Sequence, residues 1–257
     1  MMIELAGASG AGKSTIADLV QGLLQEKGVQ ALPVEEAGPA ILRRLKWRAP
    51  WRAVKVWQGL RFALEHPALV GIALAAQWGR PIPWHHRRLA LRWLLRAGGL
   101  YRFFRCHLQP NEAVVFGEGL VHRTVSLFTS DREPPSAEAV ARYVQRLPRS
   151  DLLIVLEVPP AVCVERLKGR ELPLQRLQGL GAEALSPFVE HAAEAVTIAG
   201  NEARRDNWPL LVVDNTAPLA QVQEKLRAYF LNLATFTSRM GAGQKARLSN
   251  ADLFVRQ

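Results

Sequence analysis

The chain is poor in cysteine, with only Cys106 and Cys163 in 257 residues. Two thiols build no disulfide framework and lack the spacing of a metal site. A reducing, cytoplasmic setting is therefore expected. Long apolar runs are missing too. The longest, Ala68 to Trp78, falls well short of the ~20 residues that a membrane-spanning helix needs. No transmembrane segment is expected. The N-terminus shows no charged n-region followed by an apolar h-region, so no signal peptide is expected either. Acids are scarce in one place above all. Between Ile41 and Pro110 there are twelve Arg and two Lys against a single acid, Glu65, a local charge of +13 in a chain whose net charge is +10. Six of the seven Trp fall in the same stretch: Trp47, Trp51, Trp57, Trp78, Trp84 and Trp93. The basic character belongs to this segment and not to the whole protein.

What is present is an alternation of short apolar strands and amphipathic helices. Met2–Ala6 reads as a strand and Ser14–Lys27 as a helix, with Ile16, Leu19, Val20, Leu23 and Leu24 on one stripe and Gly28 as its stop. Strands are expected over Val29–Val34, Ala113–Phe116, Leu152–Val158 and Leu210–Val213, and helices over Ser136–Leu147, Pro160–Lys168, Ser186–Ala199 and Pro218–Leu233. Leu152–Val158 is almost unbroken in its apolar character, as in a strand covered on both faces. Such alternation predicts an α/β fold with a parallel sheet. The Arg/Trp-rich segment looks helical, broken at Pro50, Pro67, Pro81, Pro83 and Gly98-Gly99. A single domain spanning residues 1–257 is expected, with a helical insertion over about residues 41–110.

Gly7-Ala8-Ser9-Gly10-Ala11-Gly12-Lys13-Ser14 fits G-x-x-x-x-G-K-[ST] at every fixed position, followed by Thr15. Each residue type has a physical task. Glycines let the backbone wrap a phosphate chain with its N–H groups inward. The helix that starts near Lys13 adds its positive end. Lys13 is placed for the β- and γ-phosphates, and the Ser14 hydroxyl for Mg²⁺. The base-reading Asn-Lys-x-Asp of a GTPase is absent from the chain. ATP with Mg²⁺ is the expected pair.

Four stretches together resemble the nucleoside and nucleotide kinases, thymidylate kinases most of all. They are Gly7–Thr15; Glu35-Glu36-Ala37-Gly38-Pro39 with Ile41-Leu42-Arg43, similar to an acidic turn after the second strand; Asp151–Arg170; and Leu210–Asn215. The resemblance implies a P-loop three-layer α/β/α fold whose five parallel strands run in the order 2-3-1-4-5. It implies transfer of the γ-phosphoryl group of ATP to an acceptor oxygen. It also implies a lid over about residues 163–182, with Arg166 and Arg170 on one helix face and Arg176 in the following loop. Arginines delivered by a lid stabilise charge on the transferring group. After the third strand, thymidylate kinases carry Asp-Arg-aromatic and deoxynucleoside kinases Glu-Arg-Ser. This chain reads Phe116-Gly117-Glu118-Gly119-Leu120, with the acid kept and the adjacent arginine missing. Arg123, one helical turn later, is the candidate replacement.

Glu118 is the first candidate to orient or deprotonate the acceptor and Glu36 the second. His122, His191 and the pair His85-His86 lack partners at metal spacing and are read as surface or satisfied residues. Cys163 is expected on the buried side of its helix. Within the insertion, Arg88, Arg92 and Arg96 recur every four residues on one face, opposite Leu91, Leu94 and Leu95. A small anionic acceptor is the first expected partner of that face and an acidic membrane surface the second. Nucleic acid ranks last because no recognised binding module is present, and a homodimer is left open. The rival from another class is a nucleotide-dependent switch or regulatory NTPase whose basic insertion binds a membrane or nucleic acid.

Overall fold

The computed structural model describes residues 1–78, 84–169 and 182–230. Its centre is a five-stranded, all-parallel sheet with the order β2-β3-β1-β4-β5. The strands are β1 (Met2–Ala6), β2 (Gln30–Pro33), β3 (Glu112–Phe116), β4 (Leu152–Glu157) and β5 (Leu210–Asp214). This is the expected α/β fold, with the expected strand order. Alternation along β1 and β3 sends side chains to both faces. Ile3, Leu5 and Val115 enter the larger core with α1 (Lys13–Glu26), while Met2, Val114 and Phe116 enter a second core with α2 (Val34–Arg44).

Between α2 and β3 the chain forms three helices, α3 (Trp51–Glu65), α4 (Pro67–Trp78) and α5 (Trp84–His107). Pro50 and Pro67 mark helix starts as expected, and Pro81 and Pro83 lie outside the described residues. Gly98-Gly99 does not break the helix. α5 runs through both glycines because α3 crosses it there at backbone distance. A Cβ on Gly99 would fall 2.5 Å from the Gly59 backbone nitrogen, and one on Gly98 would intrude on the Phe62 ring.

After β3 come α6 (Arg123–Phe128), which the sequence pattern did not reveal, and α7 (Ala137–Gln145). Ser136 caps α7 by accepting from the Ala139 N–H at 3.3 Å. α8 (Pro160–Lys168) begins on proline, and α9 (Ala182–Arg205) extends beyond the expected Ser186–Ala199. Residues 219–230 are helical. The stretch Glu35–Pro39, expected as a turn, lies inside α2, with Glu35 and Glu36 in its first turn. Two carboxylates suit the positive end of a helix.

Candidate active site

The carboxyl edge of the sheet gathers the loops after β1, β2, β3, β4 and β5, where open α/β sheets place their ligands. The loop from Gly7 to Gly12 links β1 to α1. Gly10 and Gly12 adopt left-handed φ values of 87° and 85°, a region that side chains disfavour. Space adds a second demand: a Cβ on Gly10 would lie 2.5 Å from the Cys163 carbonyl oxygen, and one on Gly12 would overlap the Asn215 amide. Gly12 caps α1 without any side-chain hydrogen bond to the helix. A positive helix end without a side-chain cap is the arrangement that receives phosphate. The Lys13 ammonium arches back over the loop and donates to the Gly7 and Ala8 carbonyls, each at 3.0 Å. Ser14 and Thr15 stand exposed in the first turn of α1.

The loop is braced from the β4–β5 side. The Asn215 side chain donates to the Ala11 carbonyl at 2.8 Å and its backbone N–H to the Glu157 carbonyl at 3.1 Å. Arg166, on α8, donates to the Asn215 carbonyl at 2.9 Å. A guanidinium and the outgoing loop of β5 thus meet at the rim of the glycine loop. Arg170 and Arg176 lie outside the described residues. Cys163 is buried, and burial pushes its thiol pKa up against the nearby Arg166 and Lys13 charges. Beside the loop lies a cavity of about 380 Å³ lined by Ala8, Glu157, Pro159, Val196, Asp214 and Thr216 among others. The Thr216 hydroxyl and N–H both bond to Asp214, at 2.6 and 2.9 Å, and hold its carboxyl below the usual range.

On the β3 side, Glu118 stands on the turn after the strand, with its side chain 60% exposed. Arg123, only 5% exposed, donates to the Glu118 carboxylate at 2.7 Å and to the Gly119 and Glu118 carbonyls at 3.3 and 3.2 Å. Its guanidinium also lies 5.8 Å from the Trp93 ring centre on α5. The acid–arginine pair is therefore present in space although the two residues are not adjacent in sequence. His122 Nε2 stands 3.8 Å from the other Glu118 oxygen.

No known family model matches the chain, and neither does any curated protein. Among solved structures, it is similar to deoxyadenosine kinase from M. mycoides with bound dATP, at a TM-score of 0.45 and 15% identity, over 90% of this chain and 99% of that one. It is also similar to the same kinase with its products dCMP and dCDP bound, at a TM-score of 0.47 and 16% identity, over 90% and 100% of the two chains. Shikimate kinase from Bacteroides thetaiotaomicron matches at a TM-score of 0.43 and 15% identity, over 91% and 98%.

One buried group at this edge had no sequence signal. Glu4, in the middle of β1, is 3% exposed and accepts from the backbone N–H groups of Val121 and His122, the latter at 3.3 Å. Gly119 has no side chain because the Glu4 carboxyl occupies that space. Burial pushes the Glu4 pKa up to about 7, against the two hydrogen bonds and the nearby Arg123 charge. Glu4 thus fixes the turn that carries Glu118 and Arg123. A charged residue amid Met-Ile-x-Leu-Ala reads as a strand's solvent-facing position, and only the packing of residues 119–122 over it reveals the burial.

Glu35 is engaged by Arg96 and by Lys55, the latter at 3.7 Å, whereas Glu36 is exposed with no ion pair among the described residues. Arg88 and Arg92 are likewise exposed and without an acid partner among the described residues. The described residues hold no cluster of three or more potential metal ligands.

Proposed function

We propose that this chain is an ATP- and Mg²⁺-dependent phosphotransferase that moves the γ-phosphoryl group to a small anionic acceptor. The observation that carries the reading is the pairing of Glu118 with Arg123 at the end of β3, one strand away from the glycine loop at the end of β1. The loop alone would suit any nucleotide-binding protein. A half-exposed carboxylate held at 2.7 Å by a buried arginine is what an acceptor hydroxyl needs beside it.

The residues fit the roles. Gly7–Gly12 and the start of α1 receive the phosphate chain, and Lys13 turns from the Gly7 and Ala8 carbonyls to the β- and γ-oxygens. Ser14 and Glu118 are the groups that would hold Mg²⁺ or its waters. Bound Mg²⁺ would supply charge neutralisation on the phosphates. Arg166 at the loop's rim supplies positive charge as the transfer proceeds, with Arg170 as its proposed companion. Glu118 orients the acceptor hydroxyl and takes its proton, while Arg123, donating to it at 2.7 Å, keeps the carboxylate aimed. The exposed Arg88 and Arg92 on α5 give the acceptor site its preference for negative charge. Catalysis in this scheme is mostly positioning and electrostatics.

The test is ADP formation from ATP with a panel of nucleosides, nucleotides, sugars, sugar phosphates and lipid-linked sugars. An acceptor that raises ADP release far above background, with loss of that stimulation in Lys13→Ala, supports the reading. Slow hydrolysis that no acceptor stimulates would assign the chain to a nucleotide-dependent switch instead.

A further inference from the structure

α3 is apolar on two opposite faces. Val54, Gly59 and Phe62 pack inward, whereas Val56, Trp57, Leu60 and Leu64 point outward and are 64%, 59%, 52% and 81% exposed. At 100° per residue the four outward side chains cover one stripe about 100° wide, the width of a core-facing helix stripe. Arg52 and Arg61 fall on its two borders, both exposed and neither ion-paired among the described residues. A helix apolar on both faces is ordinarily buried on both, so this stripe is half of an unmade interface.

The surroundings identify the occupant. α4 contains no charged residue, and Leu74 and Trp78 are exposed on it. Trp78 and Trp84 meet edge-on at 5.9 Å, and the Arg87 guanidinium lies 6.0 Å from the Trp78 ring centre. Tryptophan and arginine beside an apolar stripe suit the boundary between lipid headgroups and acyl chains. Arg44, Arg96, Arg102 and Arg105 of the +13 segment are ion-paired, but Arg52 and Arg61 beside the stripe have no ion pair among the described residues, so this edge suits a negative surface. A symmetric dimer through this stripe would bring Arg52 of one copy towards Arg61 of the other, a like-charge contact. Lying on the surface suits the geometry better than spanning. α3 and α4 are bent by 97°, no single described helix is long and apolar enough to cross, and the inner faces of both helices are committed to the protein core.

We propose that the outer stripe of α3, Val56, Trp57, Leu60 and Leu64 between Arg52 and Arg61, seats the protein on the surface of an anionic lipid bilayer. The helix lies in the interface with its arginines at headgroup level, and the nucleotide loop stays in water. The proposal does not depend on the phosphotransferase reading, because its assay requires no turnover.

The test is flotation of the full chain with vesicles of phosphatidylcholine alone or doped with phosphatidylglycerol. The chain should float with the anionic vesicles and not with the neutral ones, and added salt should weaken the association. Trp57→Ser with Leu60→Ser should cut the partition coefficient about tenfold or more, given the area these side chains bury. Arg52→Gln with Arg61→Gln should lower it and flatten the salt dependence. All four positions are exposed, so both variants should keep the wild-type circular dichroism spectrum and ATP affinity. Failure to float with anionic vesicles overturns the proposal, as does flotation that both variants retain. A dimer that dissociates on Trp57→Ser without any vesicle binding overturns it in favour of a second copy. Equal retention by an oligonucleotide and by vesicles, insensitive to the Trp57 and Leu60 changes, overturns it in favour of nonspecific charge.

Discussion

Replacing Glu4 by Gln isolates the energetic weight of one buried carboxyl beneath the candidate site. The Glu4 pKa stands at about 7 in the folded protein, against 4.5 for the free side chain, and burial is the main cause. Below about pH 4.5 the group is neutral whether the chain is folded or not. As the pH rises toward 7 the unfolded chain releases the proton first and the folded protein holds it. Stability therefore falls across this window and levels off above the folded pKa. Each pKa unit is worth ~1.4 kcal/mol, so the full loss on this group is roughly 3 kcal/mol, with about 2.5 of it falling between pH 5 and pH 8. Gln keeps the length and the oxygen that accepts from Val121 and His122, but it does not titrate. Urea unfolding of both proteins across that range should show the wild type losing about 2.5 kcal/mol relative to Glu4→Gln as the pH rises. Profiles that stay parallel would refute the reasoning and mean that the Glu4 carboxyl is ionised in the folded protein.

Three further changes probe the site and its support. Glu118→Gln should lower the turnover number by ~10²–10⁴ with ATP affinity little changed, since a general base acts only on the reaction; equal turnover in the two proteins would move that role to Glu36. Arg166→Ala should reduce turnover more than ATP binding, measured by steady-state kinetics beside nucleotide titration, because its charge is called on as the phosphoryl group transfers; a matching loss in both would make it a ground-state phosphate ligand. Gly99→Ala should cost about 1–3 kcal/mol in urea unfolding through overpacking against Gly59, despite the ~1 kcal/mol helix preference for alanine; a stabilised variant would contradict the close crossing of α3 and α5.

Much of the sheet and the whole glycine loop were legible in the sequence, because both are written in local signals. An unbroken apolar run such as Leu152–Leu156 needs no partner to be recognised, and the loop's glycines and Lys13 sit at fixed spacing. The helix from Pro160 to Lys168 matched to the residue, since its proline marks the start. The strand order came from the resemblance, and the sheet has that order. Other features answered to groups far away in the chain. Gly98-Gly99 looks like a break until Gly59 is laid against it. Spacing offered Arg123 only as a candidate partner of Glu118, and it is the turn over Glu4 that brings them within 2.7 Å. The burial of Glu4 follows only from Gly119 and Val121 closing over it. The stripe on α3 is the sharpest case. Periodicity identifies apolar faces, but which of two faces meets the core depends on where α5 lies, and packing α3 on α5 left Trp57 and Leu64 facing water.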